Sequence, residues 1–253
     1  METHTRVYTT HKLGNQCAEN QDAFCIPSTD EGYCALAEQR FAVCDGATEA
    51  MFSGPWARAL AEAWVAGALD FGPEVDSKLD QLSQSWALEL PDTSSSWWAE
   101  EKQQAGAFTT ILGLRLTHSE GKSRWALSAV GDSCLFLIRQ NALVFAGPLT
   151  RSEEFESSPY LLATSRSKNR NLLGELHTSE GELLKNDELV LATDALSCWL
   201  LKQFEVGKKH SDLLNFEEQE DKQRAFLDFV ARARESGMKN DDVTLMSIMV
   251  RDA

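Results

Sequence analysis

From Phe108 onward the chain alternates short apolar runs with tight polar turns, and this stretch limits the fold more than any other. Phe108 to Leu116, the turn Ser119-Glu120-Gly121-Lys122, and Trp125 to Val130 make an antiparallel hairpin. Cys134 to Ile138 follows as a strand and turns at Gln140-Asn141 into Leu143 to Phe145. Upstream, Phe41 to Cys44 reads as a buried strand that stops at Asp45-Gly46. Past Pro55, the residues Trp56, Leu60, Trp64 and Ala68 recur at helical spacing and predict an amphipathic helix with Pro near its first turn. A second helix is expected over Ser77 to Leu90, and Asp92 to Trp98 reads as a break or exposed corner. Pro148 to Arg170 is polar and aperiodic, which predicts a long surface loop. Glu188 to Thr193 is the next strand, Leu196 to Phe204 a short helix, and Val243 to Val250 the closing strand. Between the last two, Glu217 to Arg234 is expected as a helix whose acidic start and basic end suit its dipole. Strands, then helices, then strands point away from a βαβ repeat and toward an α+β architecture.

The 253 residues, 43% of them hydrophobic, suffice for one large domain, and a single domain over 1–253 is expected. A formal charge of −15 repels phosphate backbones, so no nucleic-acid partner is expected. An acidic protein that handles phosphate needs local cations, and bound metal ions can supply them. Met1 to Leu13 shows no secretory pattern, and no segment approaches the roughly 20 apolar residues of a membrane span. Six cysteines lie scattered without a CxxC pair, which fits reduced thiols rather than disulfides or a zinc site. A cytoplasmic location and no membrane contact are the resulting expectations.

Four carboxylates share one local context. Asp45 follows Phe41 to Cys44, Asp132 follows Val130-Gly131, Asp194 follows Leu191-Ala192-Thr193, and Asp241 precedes Val243-Thr244-Leu245. Each stands at the edge of an apolar strand, where stiff backbone aims a side chain. Ordinary turn chemistry explains any one of them, since Asp is favoured in turns for its local hydrogen bonds; four together point further. If they converge, their repulsion calls for divalent cations, and oxygen-only ligation suits Mg²⁺ or Mn²⁺. Paired ions of this kind promote attack on a phosphoryl group.

Six motifs then appear in order: Asn20-Gln21-Asp22-Ala23, Val43-Cys44-Asp45-Gly46, Gly106-Ala107-Phe108-Thr109-Thr110, Val130-Gly131-Asp132-Ser133, Ala192-Thr193-Asp194-Ala195 and Asp241-Asp242-Val243-Thr244. In these the chain resembles the type 2C metal-dependent Ser/Thr phosphatases (the PPM family), over nearly its whole length and with a closer likeness to a bacterial branch. The resemblance implies an α-β-β-α sandwich of two mainly antiparallel sheets flanked by helices, with Mn²⁺ or Mg²⁺ at one end. It implies that Asp45 bridges two core ions, that the Gly46 carbonyl binds one of them, and that Asp194 and Asp241 hold the other. Asp22 would act in or just behind the ligand shell, and Asp132 would share a weaker third ion with Asp194. A hydroxide between the core ions would attack phosphoserine or phosphothreonine directly, without a phosphoenzyme. A phosphorylated protein would be the substrate and a Ser/Thr kinase the counterpart, the chain acting as a monomer.

Three departures from that pattern stand out. Cys17 takes the place of a phosphate-gripping arginine, Gln21 that of a glutamate, and Ala47-Thr48 that of a histidine implicated in protonating the leaving group. Gln21 can still hydrogen-bond a water on the metal, whereas Ala47 transfers no proton. His11, in Thr10-His11-Lys12, is the catalytic candidate for the vacant grip or acid role, set against an ordinary surface histidine. Glu49, Arg166 and Arg170 are weaker candidates, better read as solvated charges. Trp56 and Trp64 belong in the core, and Trp97-Trp98 could form a contact surface. The competing function is a catalytically inactive relative that binds phosphoproteins or a kinase; the retained aspartates argue against it. An aspartyl-nucleophile phosphatase would want Asp-x-Asp after the first strand, which Asp45-Gly46-Ala47 does not provide.

Overall fold

The computed structural model describes residues 1–28, 33–34, 37–47, 52–90, 106–155 and 158–252. One sheet has six strands in the order β3 (Tyr33–Cys34), β1 (Glu2–Thr10), β13 (Val243–Asp252), β12 (Glu188–Ala192), β8 (Cys134–Arg139) and β9 (Ala142–Gly147). The other has five, in the order β11 (His177–Leu183), β7 (Lys122–Val130), β6 (Ile111–Ser119), β4 (Glu38–Cys44) and β2 (Ala23–Cys25). A two-stranded ribbon joins β5 (Phe108–Thr109) to β10 (Leu162–Ala163). Every pairing among the described strands is antiparallel. Short helical turns aside, the helices are α1 (Ser53–Val65), α2 (Val75–Glu89), α3 (Asp194–Glu205) and α4 (Lys222–Glu235).

The alternation of side chains along each strand sorts the core into three layers. Phe41, Val43, Leu112, Leu114, Leu189, Leu191, Met246 and Ile248 point inward and pack sheet against sheet. Ala42, Cys44 and Ile111 turn the other way, onto Trp56, Leu60 and Trp64 of α1. Cys134, Phe136, Val190 and Leu245 likewise meet Leu196, Leu200, Phe226 and Val230 of α3 and α4. This is the expected α-β-β-α sandwich. Burial on both faces is why β4, β8 and β12 read as unbroken apolar runs rather than as alternating ones. At full burial each such Leu, Ile or Phe contributes about 1.5–3 kcal/mol.

Trp56 and Trp64 are core residues, 0% and 3% exposed, as their spacing predicts. Their indole N–H groups donate to the carbonyls of Leu162 (3.1 Å) and Leu114 (3.4 Å), so neither is buried unsatisfied. A Cβ on Gly113 would sit 2.5 Å from the Trp64 ring, which explains a glycine inside β6. The expected helix breaks earlier than Ala68, however: α1 ends at Val65, and Ala68 is exposed beyond Gly67, whose φ of +72° ends the helical path.

Other expectations shift for physical reasons. Strands β8, β9 and β12 fall within a residue or two of their predicted bounds, whereas the hairpin strands β6 and β7 run three residues further toward their turn than expected, to Ser119 and from Lys122. The helix expected from Glu217 begins at Lys222, because Asp221 accepts the Arg224 N–H at 3.0 Å and caps it there. Pro148 to Arg170 is less irregular than its composition suggests. Within it, β10 is buried, and the Asn169 amide exchanges two hydrogen bonds with Ala163 (2.9 and 2.8 Å), as a neighbouring strand would. Strands β1 and β11 are not evident in the sequence: β1 is rich in threonine, and β11 is a polar edge strand. Thr48, Glu49, Trp97 and Trp98 lie outside the described residues.

Candidate functional site

The strand ends gather one set of carboxylates at one end of the sandwich. Asp45 follows β4, and its backbone is clamped from two sides by the next motif. Its N–H donates to the Thr110 hydroxyl (2.9 Å), while its carbonyl accepts from the Thr110 N–H (2.8 Å) and the Thr109 hydroxyl (2.7 Å). Thr110 in turn shares a 3.0 Å hydrogen bond with Ser133, beside Asp132. The Thr109-Thr110 and Asp132-Ser133 motifs therefore fix where Asp45 stands. Gly46 bridges to Thr109, and a Cβ there would lie 2.6 Å from the Gln21 carbonyl oxygen, so only glycine allows this approach.

Asp22 is held by threonines from the opposite sheet. The Thr193 hydroxyl donates to its Oδ2 at 3.1 Å and accepts the Thr244 N–H at 3.0 Å, which ties β12 to β13 at this point. Its Oδ1 is buried with no hydrogen-bond partner among the described residues. Asp194 opens α3, with Oδ1 taking the Ala195 N–H. Asp241 precedes β13, and Lys239 reaches both: its Nζ lies 3.0 Å from Asp194 Oδ2 and 2.7 Å from Asp241 Oδ2. Asp132, on the turn between β7 and β8, is 6% exposed.

The electrostatics express the same convergence. Burial pushes the Asp45 carboxyl well above the usual carboxylate range, and Asp22, Asp194, Asp132 and Asp241 each push it further. Burial also raises Asp22 strongly; hydrogen bonds from Thr244 and Thr193 oppose this, while Asp242 and Asp194 add to it. Asp132 rises to about 7, through burial first and Asp194 second. Burial works against the charge of Lys239, but its hydrogen bonds to Asp241 and Asp194 outweigh that and hold it well above the ordinary lysine value.

Five carboxylates in one field, two of them paired with Lys239 and one leaving a buried acceptor unpartnered among the described residues, form an all-oxygen donor set with excess negative charge. Such a set fits a hard divalent cation and does not fit zinc. Among the described residues, no three His, Cys, Asp or Glu side chains already stand close enough to hold an ion together.

The remaining candidates divide. The Arg234 guanidinium donates to the His11 carbonyl (3.1 Å) and the Asp241 carbonyl (2.7 Å), which brings the His11 backbone beside this cluster. The Gln21 amide oxygen takes the Gly54 N–H at 2.7 Å, in the first turn of α1, and its amide nitrogen donates to the Glu19 carbonyl. Arg166 is paired with Asp76 and Asp80 of α2. Cys17 is exposed, on a short helical turn. Two residues had no signal of their own. Asp242, 5% exposed, accepts the Lys12 and Gln21 N–H groups (2.7 and 2.8 Å) and so fastens the N-terminal loop to β13. Lys239 stands two positions before the Asp241 motif but 45 from Asp194, and no local pattern shows that it reaches both.

Two antiparallel sheets packed face to face, with helices outside and carboxylates gathered at the strand ends, define a layered α+β protein with an acidic, cation-seeking site. The chain belongs to the protein phosphatase 2C family, whose model matches residues 14–241. No match was found among curated proteins. Among solved structures it is similar to a photosystem II phosphatase, PBCP, at 14% identity and a TM-score of 0.58, over 98% of this chain and 99% of that one. It is similar also to the Mycobacterium tuberculosis serine/threonine phosphatase PstP/Ppp, at 16% identity and a TM-score of 0.55, over 99% of this chain and 100% of that one. The catalytic domain of PstP in complex with two manganese ions matches at 17% identity and a TM-score of 0.53, over 99% of each chain. At these identities the likeness establishes the fold.

Proposed function

We propose that this chain is a metal-dependent protein serine/threonine phosphatase, acting as one domain and as a monomer in the cytoplasm on a phosphoprotein made by a Ser/Thr kinase. The observation that carries it is the meeting of Asp22, Asp45, Asp132, Asp194 and Asp241, with Asp45 raised by all the others. Family membership supports the phosphatase reading. The two manganese ions of the PstP complex support Mn²⁺ or Mg²⁺ as the cofactor. Among the described residues no helix is long and apolar enough to cross a membrane.

Asp45 and the Gly46 carbonyl would hold two core ions, Asp194 and Asp241 would complete the pair, and Asp132 with Asp194 would hold a weaker third, with Asp22 supporting from behind. When bound, such ions supply a nucleophilic water at neutral pH and neutralise phosphoryl charge. The chain's own contribution is placement. Thr109 and Thr110 fix the Asp45 backbone, Thr193 orients Asp22, and Arg234 and Asp242 hold the His11 and Gln21 loop against β13. Ala47 holds no proton for the leaving group, so His11 is the residue proposed to grip the phosphate or protonate the departing oxygen.

The test is hydrolysis of an aryl phosphate and a phosphoserine peptide by the full chain with Mn²⁺, Mg²⁺ or EDTA. Turnover that requires the metal supports the proposal. Mn²⁺ binding without turnover of either substrate would favour the inactive binding module instead.

A further inference from the structure

We propose that Lys239 is a built-in counter-ion that competes with the divalent cation for Asp194 and Asp241 and, once displaced, lends its charge to the substrate phosphoryl group in the adjoining cleft. This deepens the phosphatase reading and rests on it. The geometry is asymmetric in a way a structural ion pair would not require. The Lys239 side chain is 64% exposed, whereas those of Asp194 and Asp241 are 16% and 17% exposed. The ammonium group therefore reaches in from the rim on a largely exposed side chain.

What it occupies matters more. A single Nζ spans one oxygen of each of two carboxylates that belong to the acidic cluster. A cation that needs those oxygens finds them available only in the fraction of molecules where the lysine has left, and its apparent affinity falls by that fraction. Lysine suits such a role because it is a compact point charge on four flexible carbons.

The place to which it can withdraw is also present. Lys239 lines a cleft of about 380 Å³ together with Asp132, Asp194, Cys198, Trp199 and Lys202. That cleft opens beside the carboxylates and has two ammonium groups on its walls. A phosphoryl dianion approaching five carboxylates meets repulsion that the core ions offset only in part. Cys17 offers no guanidinium, and Arg166 is engaged with α2. Lys239 and Lys202 are the cations of the cleft wall among the described residues.

The test uses the full chain and its K239Q variant, with K208Q as a charge-matched control. Lys208 is exposed past the far end of α3, about 20 Å from Asp194 along the helix and beyond the screening distance of about 8 Å at physiological salt. Mn²⁺ affinity is read by calorimetry and by loss of the free-ion electron paramagnetic signal. K239Q should bind Mn²⁺ roughly ten-fold more tightly than the parent, and K208Q should match the parent. With saturating Mn²⁺ and an aryl phosphate, K239Q should show a KM raised several-fold, and K208Q should keep the parent's KM. Unchanged or weaker Mn²⁺ binding by K239Q would overturn the competition, and tighter binding with an unchanged KM would overturn the phosphate contact. A parent that bound no Mn²⁺ at all would instead sink the metal-dependent reading on which the inference stands.

Discussion

Replacing Asp132 by Asn should stabilise the metal-free protein, and increasingly so as pH rises. Asp132 is nearly buried, and burial followed by Asp194 lifts its carboxyl to about 7. In the unfolded chain an aspartate titrates near ~3.9. Between those two values the folded protein keeps a proton that the unfolded chain has released, so the Asp132 contribution to stability declines as pH climbs through that window and levels off above it. Three pKa units at about 1.36 kcal/mol each amount to a penalty of about 4 kcal/mol at pH 8, about 1.5 kcal/mol at pH 5, and under about 1 kcal/mol at pH 4. Part of this belongs to the Asp132–Asp194 pair and persists only if Asp194 stays ionised, so about 2–4 kcal/mol is expected from Asn at pH 8. For a chain of this size each kcal/mol moves Tm by roughly 2–4 °C. Thermal melts followed by circular dichroism in EDTA should show Asp132→Asn some 5–10 °C above the parent at pH 8, and within a few degrees of it at pH 4. An advantage that did not grow with pH, or a variant less stable than the parent at pH 8, would refute the assignment of Asp132 as a carboxyl held in an unfavourable field.

Asp45→Asn keeps the side-chain shape and removes the charge proposed to bridge two ions. Its Mn²⁺-dependent turnover should fall by more than the roughly 10–100-fold that loss of a supporting partner costs. Its metal-free Tm should equal or exceed the parent's, because the raised Asp45 pKa means that ionisation opposes folding above the acid range; Mn²⁺ should raise the parent's Tm more than the variant's. Aryl phosphates, whose leaving groups need little protonation, should be cleaved faster than phosphoserine peptides, since Ala47 supplies no acid; equal kcat values with chemistry rate-limiting would point to another donor. His11→Ala should lower kcat/KM on phosphoserine peptides by on the order of 100-fold while affecting aryl phosphates less, and identical losses on both would remove His11 from the acid role.

How much was legible beforehand depends on whether the signal is local. Phe41 to Cys44, Cys134 to Ile138 and Glu188 to Thr193 announce themselves because strands buried on both faces must be apolar throughout. The aspartates that end them stand out by contrast. The sandwich and the ligand candidates were implied by the family resemblance that six ordered motifs carry. What those motifs do for one another is a different matter. Asp45 and Thr110 are 65 positions apart, and Asp22 and Thr193 are 171 apart, yet one backbone clamp and one hydroxyl set the carboxylate positions. Strand β1 was hidden because threonine, neither clearly apolar nor clearly polar, fills the positions that Thr3 and Thr5 bury.

The sequence by itself determined the strands buried on both faces and which residue types stand at their ends, because burial and turn chemistry act over a few neighbouring residues. Only the tertiary structure decided that five carboxylates share one field, that the Gln21 amide takes an N–H from the first turn of α1, and that Lys239 lies between Asp194 and Asp241. Each of these depends on separations of a few ångströms between segments far apart in the chain. Coulombic and hydrogen-bond energies change steeply over such distances, and they are set by the packing of the two sheets rather than by any residue's neighbours in sequence.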